Sequence, residues 1–125
     1  MKRPVLTLGL IVLAGLVAAC GGSNAGPSTS APAGSGEAIT VVAKDIAFSP
    51  TAITAPARKA FTLVLDNQES APHNIAISDA SGAVVFKGEI VTQKQISYSV
   101  NALAAGSYPF KCEVHPNMTG TLTVQ

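Results

Sequence analysis

The chain has 125 residues, and its 8 Lys and Arg against 7 Asp and Glu leave a formal net charge of +1. That length permits one domain once a leader is set aside, and a near-neutral balance without a basic stripe excludes a nucleic-acid-binding protein. With two cysteines and two histidines in all, any metal or nucleophilic chemistry must rest on very few residues.

The first segment is a leader. Lys2-Arg3 is followed by an uncharged apolar run over residues 5–19, about 15 residues and shorter than the roughly 20 that span a bilayer. This pattern predicts export. The run ends in Val17-Ala18-Ala19-Cys20, which is similar to a bacterial lipobox, whose cysteine is lipidated and becomes the mature N-terminus. Residues 1–20 are therefore expected to be a lipoprotein signal peptide, with Cys20 lipidated and holding the protein on the membrane. An ordinary cleaved signal and an uncleaved anchor are the alternatives, and both still place the domain outside the cytoplasm. Losing Lys2 and Arg3 leaves six basic residues against seven acidic ones, so the formal charge becomes −1.

Residues 21–36 are only Gly, Ser, Ala, Pro, Thr and Asn, a composition that cannot bury a core and reads as a flexible tether with a reach of about 20 Å. A domain over residues 37–125 follows. Its expected strands cover residues 39–48, 60–66, 73–78, 83–87, 93–100, 107–112 and 119–124, separated by turn signals at Ser49-Pro50, Asn67-Gln68-Glu69-Ser70, Ser81-Gly82 and Ala105-Gly106. No stretch carries a convincing helical stripe. The fold class is all-β, a sandwich of seven to eight strands.

Strand parity then places particular side chains. A period of two puts Tyr108, Phe110 and Cys112 on one face, and puts His73 with Ile75 and Ile77. Leu122 and Val124 share one face of the last strand. The segment from Cys112 to Met118 thus joins two strands at one end of the sandwich.

That segment, Cys112-Glu113-Val114-His115-Pro116-Asn117-Met118, brings a thiolate, an imidazole and a thioether into one short loop. Cu(I) favours soft sulfur and Cu(II) favours imidazole, so the mixture suits copper in both oxidation states. A second imidazole would complete a trigonal His2Cys site with a weak axial Met, and His73 is the one other histidine. Taken singly, each residue has an ordinary reading. Cys112 could be an inert core thiol or pair with Cys20, the histidines could be polar residues, and Met118 could be core filler.

Joined in this order, Pro72-His73-Asn74 and the string Tyr108, Phe110, Cys112, His115, Pro116, Met118, Gly120 resemble the cupredoxins, the small blue copper proteins. The resemblance covers residues 38–125. The Cys-x2-His-x2-Met spacing is most similar to amicyanin, and the trailing His-Pro-x-Met-x-Gly is also similar to cupredoxin-like domains of bacterial envelope lipoproteins. It implies a Greek-key sandwich and one type 1 copper held by His73, Cys112, His115 and Met118. It also implies that Asn74 helps tie the ligand loop to the neighbouring strand, a task that orients ligands. Many members carry Ser or Thr directly after the cysteine. This chain has Glu113 there, a carboxylate close to the thiolate and therefore a second residue expected to bear on the site.

Two histidines leave none for the further centres of multicopper oxidases or copper nitrite reductases, and one loop cysteine is too few for a binuclear centre. A Ser-His-Asp arrangement has no histidine to use. The expectation is therefore a non-enzymatic, monomeric, membrane-tethered electron carrier of the cell envelope, serving an unidentified redox partner protein. The alternatives are copper binding or delivery, or an accessory role in metal uptake, with the same ligands and no electron traffic, and a metal-free sandwich.

Overall fold

In the computed structural model, which describes residues 38–125, nine strands and no helix build two sheets. In chain order the strands are β1 (Ile39–Lys44), β2 (Ala47–Ser49), β3 (Ala52–Ala55), β4 (Phe61–Asn67), β5 (Ala76–Ser78), β6 (Val84–Lys87), β7 (Gln95–Val100), β8 (Gly106–Lys111) and β9 (Thr119–Val124). One sheet runs β2-β1-β4-β7, the other β3-β9-β8-β5-β6. Pairing is parallel for β1 with β4 and for β3 with β9, and antiparallel elsewhere. The expected signal peptide, Cys20 and tether lie outside the described residues.

The inner faces meet in one apolar core. Alternation in the strands supplies it: Val41 and Ala43 from β1, Phe61, Leu63 and Leu65 from β4, Phe110 from β8, Leu122 and Val124 from β9. Phe48 and Phe110 pack with ring centroids 5.6 Å apart at 54°, a tilted contact that the aromatic quadrupole favours. Gly120 lies directly opposite Phe110 on the β8–β9 ladder. A Cβ there would clash with the edge of the Phe110 ring and with the Thr51 carbonyl oxygen, so only glycine lets β9 close over that ring.

Three expectations need correction. The single strand expected over residues 39–48 is two, because Asp45 and Ile46 both take positive φ (54° and 56°) and turn the chain back so that Lys44 pairs with Ala47. Positive φ at both central residues is the type I′ hairpin geometry, which matches strand twist but ordinarily selects Asn and Gly rather than Ile. The strand β3 was not expected at all. It is four residues long and gains its partner from the far end of the chain, pairing Ala52 with Thr121 through Ala55 with Val124. His73 does not open a strand: β5 begins at Ala76, and His73 instead makes an isolated two-way bridge to Val91, with N–H to O distances of 3.0 and 2.9 Å.

That bridge matters for placement. It fixes the backbone of His73, while the pairing of Ala76 with Lys111 and the Glu113 N–H donated to Asn74 Oδ1 bring this stretch to the end of β8, where the loop of residues 112–118 begins.

Candidate metal centre

Two segments bring the donor residues together. The first runs from the end of β4 to the start of β5 and carries His73, whose side chain is wholly buried. Asn67, itself 2% exposed, braces it from within: the side-chain amide donates to the carbonyls of Ala71 (2.8 Å) and Val91 (2.7 Å), and its Oδ1 accepts from the Glu69 N–H (3.0 Å). A buried amide satisfied on three sides costs little to bury and locks the backbone that it spans.

The second segment is the loop between β8 and β9. Its ends are paired through the main chain, with the Cys112 N–H donating to the Met118 carbonyl (3.0 Å) and the Met118 N–H donating to the His115 carbonyl (2.9 Å). Cys112 and Met118 are buried, Cys112 as a free thiol. His115 is half-buried, while Val114, Pro116 and Asn117 are exposed around it.

His73, Cys112 and His115 offer one donor atom each at a common point. Cys112 Sγ lies 3.7 Å from His73 Nδ1 and 3.9 Å from His115 Nδ1, and the two Nδ1 atoms are 3.2 Å apart. The circle through those three atoms has a radius of about 2.1 Å, against metal–imidazole bonds of about 2.0–2.1 Å and metal–thiolate bonds of about 2.3 Å. A metal ion in that plane would therefore sit at bonding distance from all three without rearrangement. The donor chemistry fits copper, whose two oxidation states divide their preference between thiolate and imidazole.

The structure adds a residue that the sequence reading missed. His73 Nε2 lies 2.7 Å from Glu69 Oε1, and that same oxygen accepts from the Ile46 N–H at 3.0 Å. An ionised carboxylate only accepts, so Nε2 carries a proton, and the neutral ring of that tautomer turns its Nδ1 lone pair towards Cys112. The Ile46 amide chiefly, with the His73 imidazole, holds the Glu69 carboxyl below its usual value. A carboxylate behind an imidazole fixes both tautomer and ring orientation. In sequence the cue was an acid four residues before the histidine, hidden within a stretch read as a turn.

Asn74 and Glu113 also meet. The Glu113 N–H donates to Asn74 Oδ1 (2.9 Å), and Asn74 Nδ2 donates to Glu113 Oε2 (2.8 Å) and to the Gly88 carbonyl (3.2 Å). Lys87 Nζ stands 3.0 Å from the same Oε2. The Asn74 amide, with Lys87 beside it, lowers the Glu113 carboxyl from its ordinary value.

A mixed two-sheet sandwich with two imidazoles and one thiolate converging at one end defines a small metal-binding β-protein. Comparison with known proteins narrows this: the Cupredoxin-like domain family matches residues 10–124, and the chain belongs to that family. Amicyanin from Paracoccus versutus is 38% identical over 60 residues, which cover 47% of this chain and 45% of that protein. The chain thus matches about half the length of the curated relatives, 49% in the case of amicyanin from Paracoccus denitrificans. Among solved structures, that of P. versutus amicyanin superposes with a TM-score of 0.58 at 30% identity, covering 71% of this chain and 82% of that one. Auracyanin A of Chloroflexus aurantiacus, described as a blue copper protein, gives 0.63 at 19% identity, covering 71% and 98% respectively, and supports the fold.

Proposed function

We propose that this chain carries single electrons on one type 1 copper held by His73, Cys112 and His115, with Met118 as the weak axial ligand. The observation that carries the reading is the triangle of donors, already spaced for a metal bonded to all three atoms. Copper bound there supplies the Cu(II)/Cu(I) couple. The protein's part is to keep its ligands still. His73 is fixed by Glu69 and by its bridge to Val91, and Cys112 and Met118 by their shared main-chain hydrogen bond. A ligand set that cannot relax makes the change of oxidation state cheap in reorganisation.

His115 is the donor residue in contact with solvent, ringed by the exposed Val114 and Pro116, so it is the entry and exit point for the electron. A redox partner protein would dock over it. The leader and lipobox-like Cys20 support an extracytoplasmic location on a lipid anchor, with residues 21–36 as tether, and a monomer suffices for the role. A tether would raise the local concentration of a membrane-bound partner.

The test is a Cu(II) titration of the purified, reduced chain followed by visible absorption, with Cys112→Ser alongside. An intense thiolate-to-copper band at one copper per chain, bleached by reductant and absent from the variant, is the expected result. Tight Cu(I) binding without that band would favour copper delivery instead.

A further inference from the structure

Among the residues around the donor triangle, Glu113 is the one that breaks the family pattern, and the structure gives it an unusual number of ties. Its N–H and its carboxylate engage opposite ends of one side chain, the buried amide of Asn74. Asn74 directly follows His73, and Glu113 directly follows Cys112. A single amide–carboxylate ring therefore fastens the two ligand-bearing segments to each other, across 39 residues of sequence. The third tie is to Lys87 at the end of β6, whose neighbour Gly88 supplies a carbonyl to the same Asn74 amide.

The Lys87–Glu113 ion pair is itself too exposed to matter much for folding: the side chains are 60% and 32% accessible, and surface pairs contribute about 0–1 kcal/mol. Its charges nevertheless belong to the frame that carries the donors: Glu113 directly follows Cys112, and its carboxylate bonds to Asn74, which directly follows His73. Coulomb energy falls only as the inverse of distance, so a unit charge held in that frame discriminates between a doubly and a singly charged ion.

Resting on the copper reading above, we propose that Glu113 is a positioning residue joining the two ligand segments, and that its carboxylate and the Lys87 ammonium set the centre's potential by opposing electrostatic effects. The carboxylate favours Cu(II), which carries one more positive charge. The ammonium favours Cu(I). Because the two groups share one hydrogen bond, the native centre feels their difference, and removing either exposes the other.

The experiment measures the midpoint potential, the visible spectrum and the apo-protein melting temperature of the full chain and of four variants. Glu113→Gln keeps an amide where the carboxylate was and is expected to raise the potential. Lys87→Met is expected to lower it. Each shift should correspond to about a tenfold change in the ratio of Cu(I) to Cu(II) affinity, which is 59 mV for a one-electron couple. The double variant should return close to wild type, and Lys87→Arg should leave the potential in place. Apo melting temperatures should stay close to wild type for the Lys87 variants. Single variants that leave the potential unmoved in a wild-type blue site would overturn this proposal alone, as would shifts of the same sign accompanied by lowered apo stability, the mark of a merely structural role. A wild-type chain with no blue band would overturn the copper reading and this proposal with it.

Discussion

The two segments that supply the donors are built in opposite ways. The segment of residues 67–75 is held by side chains and buries its donor, although Gln68, Ser70 and Pro72 are exposed: Asn67 spans its main chain, Glu69 grips the outer nitrogen of His73, and His73 itself is fully buried. The loop of residues 112–118 is held by its main chain at the root and by Asn74 at Glu113, and it leaves Val114, Pro116 and Asn117 in water. One segment fixes a proposed ligand, and the other presents one. The proposed function, electron carriage, would need both, because reorganisation must be small and the couple must still be reachable.

The largest break of this contrast comes at the root of the exposed loop. Met118 is 1% accessible and belongs to the apolar core, so its side chain anchors the loop before any metal is bound. Met118→Ala should destabilise the metal-free protein by about 2–5 kcal/mol, the range for truncating a buried Met. Denaturant unfolding of apo-protein checks it. A cost below about 1 kcal/mol would mean that the thioether serves the metal alone.

The two histidines sharpen the contrast next. His73→Ala removes a buried ring and its bond to Glu69, and should cost the apo-protein about 1–3 kcal/mol. His115→Ala, at a half-exposed position, should stay within about 0.5 kcal/mol. Both should abolish the thiolate-to-copper band. Added imidazole should restore it in a His115→Gly variant, whose vacated position opens to solvent, and not in His73→Gly, whose position does not. Equal rescue of both would dissolve the distinction between the fixed and the presented ligand.

How much of this could be read from the sequence follows the range of the interactions. The loop of residues 112–118 was legible because its chemistry is local: residue types and spacing suffice, and parity along β8 put Phe110 and Cys112 inward, as both are. The other segment was less so. His73 was expected to open a strand on an alternating face, yet Asn74, Ile75, Ala76 and Ile77 are all buried, because both sides of this stretch are covered. Glu69 reads as a turn residue until Ile46, 23 positions earlier, is brought to it by a hairpin. That hairpin is itself hidden, since a β-branched residue at positive φ runs against its own propensity and tertiary contacts must hold it there. The strand β3 depends on β9, which no local signal announces.

The smallest effect concerns acidity and sets the first segment against a turn away from the donors. Glu69 is lowered chiefly by the Ile46 amide, and Asp79, in a turn remote from the donors, chiefly by the Ser81 hydroxyl. A carboxyl whose folded value is depressed contributes stability that is fully present above its unfolded value, near 4.5 for Glu69 and 3.8 for Asp79, and lost as pH falls through the lower folded value. Apo-protein stability should therefore be flat from neutrality to about pH 5 with respect to these groups and decline in more acid solution. Glu69→Gln should make that decline shallower while leaving the part due to Asp79, and Asp79→Asn should do the reverse. If Glu69→Gln left the acid limb unchanged, the carboxylate behind His73 would orient the imidazole without contributing to the fold, and the segment of residues 67–75 would owe its order to Asn67 and to the bridge between His73 and Val91.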